Sequence, residues 1–158
     1  MRKAWNKGLV VENYHTDEVK KRIGEASKKR WAKTSYRNMI YKSMRNAFNN
    51  KCTSIEIKIQ KALKDKNIDF EINKPLSGLP DIFIKPNICI FADGDYWHCN
   101  PIKYPNGPIN NYQKTRIEKD KRINRILKSN KYKVLRFWEN DIKNNWGKCE
   151  KKLMGAIY

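Results

Sequence analysis

Apolar residues along the 158-residue chain fall into short groups whose spacing shifts from helical to extended and back. Val19, Ile23, Ala26 and Arg30 share one face at three- and four-residue intervals. That spacing predicts a helix over about 16–33, with Thr16 or Asp17 near its N-cap. Met39, Ile40, Met44 and Phe48 fall on one side of a second helical stretch, about 36–49. Thr53 or Ser54 caps a third helix over about 55–66, whose apolar stripe is Ile55, Ile59, Ala62 and Leu63. The period then shortens. Phe70-Glu71-Ile72, Asp81-Ile82-Phe83-Ile84 and Ile88-Cys89-Ile90-Phe91-Ala92 read as strands, the last two as a hairpin buried on both faces. Residues 99–111, rich in Pro, Asn and Gly, read as an exposed loop. A helix over about 112–129, a strand over 133–138 and a helical tail over 139–158, broken near Gly147, complete the pattern. Helix, three strands, helix, strand, helix predicts an α/β domain: a mixed β-sheet flanked by helices.

Charge divides the chain. In residues 1–50, Lys and Arg outnumber Asp and Glu by more than three to one, and aliphatic residues are few. Such a segment buries little apolar surface, so 1–50 is expected to be a basic helical extension and 51–158 the domain with a core. The whole chain carries a net charge of +19, from 35 Lys and Arg against 16 Asp and Glu. Self-repulsion of that size is relieved by a polyanion. Double-stranded DNA is the expected partner, because neutralised phosphates release condensed counterions. An anionic membrane surface is the rival, and a compositional bias toward Lys and Asn is the plainest alternative. The basic residues show no strongly amphipathic apolar face, which ranks the membrane reading low. No apolar run has the length of a transmembrane helix, and the basic start of the chain has no apolar stretch behind it. Cys52, Cys89, Cys99 and Cys149 show no CxxC spacing and read as reduced thiols in a cytoplasmic protein.

Four polar residues stand where structure alone would not want them. Asp81 opens an apolar strand, where a carboxylate is costly to desolvate unless paired or metal-bound; it could equally cap the preceding turn. Asp120 shares the face of Ile117, Ile123 and Leu127 on its helix. It wants a partner such as histidine, or it pairs within the helix with Arg116. Glu56 lies in the first turn of its helix, where the dipole alone favours an acid. His98 follows Asp93-Gly94-Asp95-Tyr96-Trp97 directly after a buried strand. It is either a surface histidine or a proton acceptor oriented by a carboxylate.

These residues carry a resemblance. Leu79-Pro80-Asp81-Ile82-Phe83-Ile84, Ile90-Phe91-Ala92-Asp93-Gly94-Asp95-Tyr96-Trp97-His98, Ile117-Glu118-Lys119-Asp120-Lys121-Arg122 and Lys133-Val134-Leu135-Arg136-Phe137-Trp138-Glu139 resemble, in order and spacing, the very-short-patch-repair (Vsr) mismatch endonucleases. Thr53-Ser54-Ile55-Glu56 resembles the start of that family's first core helix. Glu56, Asp81, His98 and Asp120, with Asp93 at a variable position, also match the EDxHD signature of a homing-endonuclease branch of the PD-(D/E)xK superfamily. Lys3-Ala4-Trp5-Asn6-Lys7-Gly8-Leu9 and the basic helix after it resemble a nuclease-associated modular DNA-binding motif. The resemblance implies a PD-(D/E)xK-like fold and a Mg²⁺-dependent (or Mn²⁺-dependent) phosphodiester cut. Asp81 would bind the metal, Glu56 would support its shell directly or through water, His98 would activate or orient the attacking water, and Asp120 would hold His98. The usual acid-x-Lys element is absent, which fits the histidine branch. Mismatch-repair members carry a structural zinc; here Asp95 and Asn140 stand at two of the expected cysteine positions and only Cys99 lies nearby, so no structural zinc is expected.

DNA contacts are expected at Lys3, Trp5, Lys7, Arg22, Lys28, Lys29, Arg30, Arg45 and Arg116. Tyr96 and Trp97 correspond to an aromatic pair that wedges into the base stack in the mismatch enzymes. Tyr96 is expected on DNA; Trp97 either joins it or packs beneath the loop. The first expectation for function is a site-specific DNA endonuclease of homing type. A mismatch-repair nickase is the second. A DNA-binding protein with a degenerate nuclease fold is the reading outside enzymes.

Overall fold

The structure, a computed structural model, describes residues 16–47 and 52–158. Lys3, Trp5, Lys7 and Phe48 lie outside the described residues. Two compact units divide the chain, Met1–Ile40 and Tyr41–Tyr158.

In the first unit, Thr16 caps helix α1 (Asp17–Ala32) by accepting the Val19 amide on its side-chain oxygen, 3.4 Å away. Asp17 and Glu18 in the first turn and Lys29 and Arg30 in the last match the helix dipole. No residue of α1 is buried. Helix α2 (Thr34–Ala47) starts earlier than its apolar spacing predicts. Around the corner between the helices, Trp31 and Tyr36 meet edge to face, and the Arg37 guanidinium donates to the Trp31 and Ala32 carbonyls at 3.1 and 3.3 Å.

The second unit is α/β. Helix α3 (Ser54–Asp65) precedes strands β1 (Glu71–Ile72), β2 (Ile82–Ile84) and β3 (Ile88–Asp93); then come helix α4 (Asn111–Ser129), strand β4 (Lys133–Trp138) and helices α5 (Glu139–Asn144) and α6 (Trp146–Ile157). The four-stranded mixed sheet has the order β1-β2-β3-β4. β1–β2 and β2–β3 pair antiparallel, while β3 and β4 run parallel with Ile90 opposite Leu135. A parallel pair needs a crossover, and α4 supplies it.

Side-chain alternation assigns the two faces. Ile82, Ile84, Ile88, Ile90, Leu135 and Phe137 point to one side and pack with Ile55, Ile59 and Leu63 of α3, Ile142 of α5, and Cys149 and Leu153 of α6. Phe83, Cys89 and Phe91 point to the other and meet Ile123 and Leu127 of α4. Helices therefore flank both faces, an architecture compatible with a PD-(D/E)xK-like fold. The helical tail breaks near Gly147, as expected, at Asn145, and Gly147 itself lies just inside α6. One local expectation is corrected. The loop after β3 is not exposed throughout: Cys99 and Asn100 are buried, because Asn100 hydrogen-bonds inward to Asp95 at 2.7 Å.

The turn before β2 carries Asp81 and docks on α4 at one glycine. Gly78 has φ +83°, and a Cβ there would lie 2.6 Å from Cγ2 of the buried Ile123. Gly78→Ala is therefore expected to cost about 2–3 kcal/mol, combining left-handed backbone strain with overpacking. Urea unfolding checks this; a loss below about 0.5 kcal/mol, the range of an unremarkable surface change, would mean the turn is not wedged against α4.

Candidate active site

The site forms where the parallel strands end, the usual place for polar groups in an α/β sheet. Phe91 and Asp93 of β3 point toward the α4 side, and Arg136 of β4, opposite Phe91, points the same way. The Arg136 guanidinium stacks over the Phe91 ring at 4.8 Å and forks onto Asp93: Nε to Oδ2 at 2.6 Å and Nη2 to Oδ1 at 2.7 Å. Nη2 also lies 3.1 Å from Asp120 Oδ1, and Nη1 donates to Asn124 Oδ1 at 3.1 Å. Asp120 and Asn124 are one turn apart on α4, so a single guanidinium ties helix to sheet. Burial lowers the Arg136 pKa, but the bonds and charges of Asp93 and Asp120 outweigh it and leave the pKa raised.

The loop after β3 returns His98 to this cluster. Its Nδ1 lies 2.6 Å from Asp120 Oδ2 and 3.4 Å from Asp93 Oδ1. Its Nε2 lies 3.2 Å from Nη2 of Arg116, one turn before Asp120 on α4. The protons follow from chemistry. A guanidinium only donates, so Nε2 must present its lone pair to Arg116. Burial raises the Asp120 pKa, but the His98 hydrogen bond and the Arg136 charge outweigh it, so this carboxyl is held ionised. An ionised carboxylate only accepts, so Nδ1 carries the proton. In its neutral form the imidazole would therefore donate Nδ1–H to Asp120 and turn the Nε2 lone pair to Arg116. His98 and Asp93 line a cleft of about 270 Å³ with Ile117, Asp120, Asn124 and Arg136.

Asp81 stands just before β2 and reaches across the hairpin, its Oδ2 accepting the Ala92 amide at 2.8 Å. Burial raises its pKa to about 7 against that hydrogen bond; the charges of Glu56 and Asp93 raise it further, and a protonated His98 lowers it. Glu56 shares a reciprocal cap with Thr53: the threonine hydroxyl donates to Glu56 Oε1 at 2.7 Å and accepts the Glu56 amide at 3.4 Å. Its helix-capping role and its field at Asp81 thus coexist. Among the described residues no three His, Cys, Asp or Glu side chains form a ready cage for a metal. A half-buried carboxylate whose ionisation is opposed by neighbouring acids does fit a hard divalent cation, of the kind held by one or two carboxylates with water completing its shell.

The structure thus brings His98 and Asp120 into direct contact and sets Asp81 within the field of Glu56 and His98. Asp120 does not form the expected-alternative ion pair with Arg116, because His98 lies between them. Asp93, Arg136 and Asn124 complete the cluster without having been singled out as site residues. The signal for Arg136 was its charge on the face of Val134 and Trp138 in a half-apolar strand. Tyr96 and Trp97 are 44% and 55% exposed, so Trp97 does not pack beneath the loop; its ring meets Tyr96 at 5.1 Å and Tyr112 of α4 at 5.6 Å. Buried Gln113 supports them, donating to the Tyr96 carbonyl at 2.7 Å. Asp95, at an expected cysteine position, accepts from the Asn100 side chain and the Asn140 amide and pairs with Lys103 at 2.9 Å. Burial raises its pKa, and these partners outweigh it. Arg22, Lys28, Lys29 and Arg30 are exposed on α1, and Arg45 stands on α2.

Relatives match most of this chain. It is 31% identical over 126 residues to a type II nicking enzyme, V.HpaIIP of Haemophilus parainfluenzae, covering 74% of the chain and 89% of that protein. It is 28% identical over 116 residues to the type II nicking enzyme V.NmeDIP of Neisseria meningitidis serogroup C, covering 68% of the chain and 78% of that protein. No protein-family model matches the chain. No helix among the described residues is long and apolar enough to cross a membrane.

Burial of Asp81 makes a testable demand on stability. With its folded pKa near 7 and its unfolded value near 3.8, the folded protein keeps a proton that the unfolded chain releases between those values. Stability from this group therefore falls as pH rises across that window. Without divalent ion, Asp81→Asn should stabilise the protein by on the order of 2 kcal/mol at about pH 8 and by close to nothing near pH 4, read by urea unfolding. Equal effects at both pH values would show that burial does not oppose this charge.

Proposed function

The chain belongs to the Vsr-like endonuclease family of these type II nicking enzymes and is a DNA endonuclease, and on that premise we propose that it nicks double-stranded DNA by divalent-ion-dependent hydrolysis at the His98–Asp120–Asp81 cluster. The observation that supports this reading is the 2.6 Å contact between His98 Nδ1 and Asp120, which suits the ring to act as a base near the half-buried Asp81. Asp120 holds the ring through Nδ1–H, leaving Nε2 to take a proton from the attacking water. The water oxygen bonds to phosphorus, the opposite P–O bond breaks, and the departing sugar oxygen is protonated by solvent. Asp81, supported by Glu56 directly or through water, would hold Mg²⁺ or Mn²⁺, which supplies charge stabilisation at the scissile phosphate. Arg136 keeps Asp93 and Asp120 from repelling each other, a positioning role. No structural zinc enters this reading: the Asp95 side chain is already engaged by Asn100, Lys103 and the Asn140 amide.

One cluster per chain favours cutting one strand per visit, in keeping with the relatives' name. The exposed aromatics Tyr96 and Trp97, with Tyr112 beside them, suit unstacked or mispaired bases. The homing-type reading keeps one support of its own, the exposed basic face of α1, which would lengthen the footprint on DNA.

Supercoiled plasmid with Mg²⁺ should convert to open circles before linear product appears, and EDTA should stop it. Asp81→Ala and His98→Ala should each slow nicking by about 10²–10⁴-fold. A plasmid carrying one mismatch, compared with its matched parent, separates the mismatch and intact-site readings. Undiminished cutting by both variants would place the chemistry elsewhere.

A further inference from the structure

In its neutral form the imidazole has one lone pair for catalysis, and the geometry covers it. Nη2 of Arg116 donates to His98 Nε2 at 3.2 Å, on the ring edge that must face the attacking water. Yet Arg116 is poorly satisfied where it lies: its Nε is buried and has no hydrogen-bond partner. A guanidinium with an idle buried donor gains when an oxyanion offers two acceptors, because bidentate charge-assisted bonds to phosphate are stronger than one bond to a neutral ring nitrogen. Opposite it, Arg136 has no such freedom, since Asp93, Asp120 and Asn124 occupy its Nε, Nη1 and Nη2. One arginine is locked and the other is poised to exchange its partner.

We propose that Arg116 is a substrate-released cap on the catalytic base: it covers the His98 Nε2 lone pair in the free protein and exposes it when a DNA backbone phosphate takes the guanidinium. The inference rests on the nuclease reading above and deepens it. It makes Arg116 a specificity-determining residue, because a phosphodiester too small to bind both Arg116 and the reacting position leaves the base covered.

Arg116→Met tests it, since methionine keeps an unbranched apolar stem and removes every donor. Two substrates are compared with Mg²⁺: supercoiled plasmid and bis(4-nitrophenyl) phosphate. The variant should hydrolyse the small diester about tenfold faster than wild type, the factor expected when one charge-assisted hydrogen bond on the base is lost, while plasmid nicking falls. A parallel loss on both substrates would make Arg116 ordinary support and overturn the cap. A second readout needs no turnover. With ¹⁵N-labelled histidine and His15→Asn, which leaves His98 alone, the Nε2 resonance of Arg116→Met should move toward that of an unbonded ring nitrogen. Duplex DNA added to the wild-type arginine in EDTA should move it the same way. A resonance unmoved in both cases would overturn the cap, whereas unimpaired plasmid nicking by Asp81→Ala and His98→Ala would instead overturn the nuclease reading beneath it.

Discussion

Four acids gather at one end of the sheet of a chain whose overall charge is +19, and one guanidinium holds two of them together. Asp93 is almost fully buried and Asp120 partly so, and the two would repel each other beside His98 Nδ1, which both approach. Arg136 binds both while spending its remaining arm on Asn124. Removing one partner of such a buried set leaves an uncompensated charge, which typically costs about 3–5 kcal/mol. Lysine could not substitute, because a point charge cannot span two carboxylates and an amide in one plane. The His98–Asp120 geometry therefore depends on a residue that touches neither water nor phosphate in the proposed reaction.

That guanidinium reaches its partners through backbone topology. The parallel pairing of β3 and β4 sets Phe91 opposite Arg136, so the arginine crosses one ring to reach Asp93 two residues further on. The α4 crossover lays Arg116, Asp120 and Asn124 along one edge, one turn apart. The loop between closes from inside. Buried Asp95 and Asn100 bond to each other, and buried Gln113 grips the Tyr96 carbonyl, so His98 is fixed between two polar anchors. Anchors of this kind satisfy the groups they bury and define one loop conformation, which the proposed role of His98 needs.

Local information made much of this legible in the sequence. Thr16 and Thr53 cap helices where the pattern places caps, and the strands lie within a residue or two of their expected positions. Asp120 stood out because an acid in the stripe of Ile117, Ile123 and Leu127 violates the helical pattern. Asp93 did not, since an acid at a strand end before glycine reads as the start of a turn. Its partner lies 43 residues away, and only the register of β3 against β4 reveals the pair. The buried start of the loop after β3 was hidden for a related reason. Asn, Pro and Gly favour turns whether the turn faces water or an anchored interior, and composition does not record which. The break near Gly147 falls at Asn145, whose backbone, at φ −130° and ψ 42°, leaves the helical region without needing glycine freedom.

A cluster of carboxylates in a strongly basic protein also constrains how DNA is approached. Long-range attraction draws a polyanion to the surface as a whole, yet at the cluster itself a phosphate meets the fields of Asp81, Glu56, Asp93 and Asp120. Partial protonation of Asp81 near neutral pH reduces that field only in part. On the proposed reading, a divalent cation at Asp81 reverses the local sign, and Arg116 supplies the second positive contact on the other side of His98. Affinity and reactivity then have separate origins. On that reading the scattered lysines and arginines would hold duplex at many places, but a phosphate would sit against the base only where a cation and a free guanidinium flank the imidazole. Binding far in excess of cutting is the consequence for a chain with so much diffuse charge and one small acidic site.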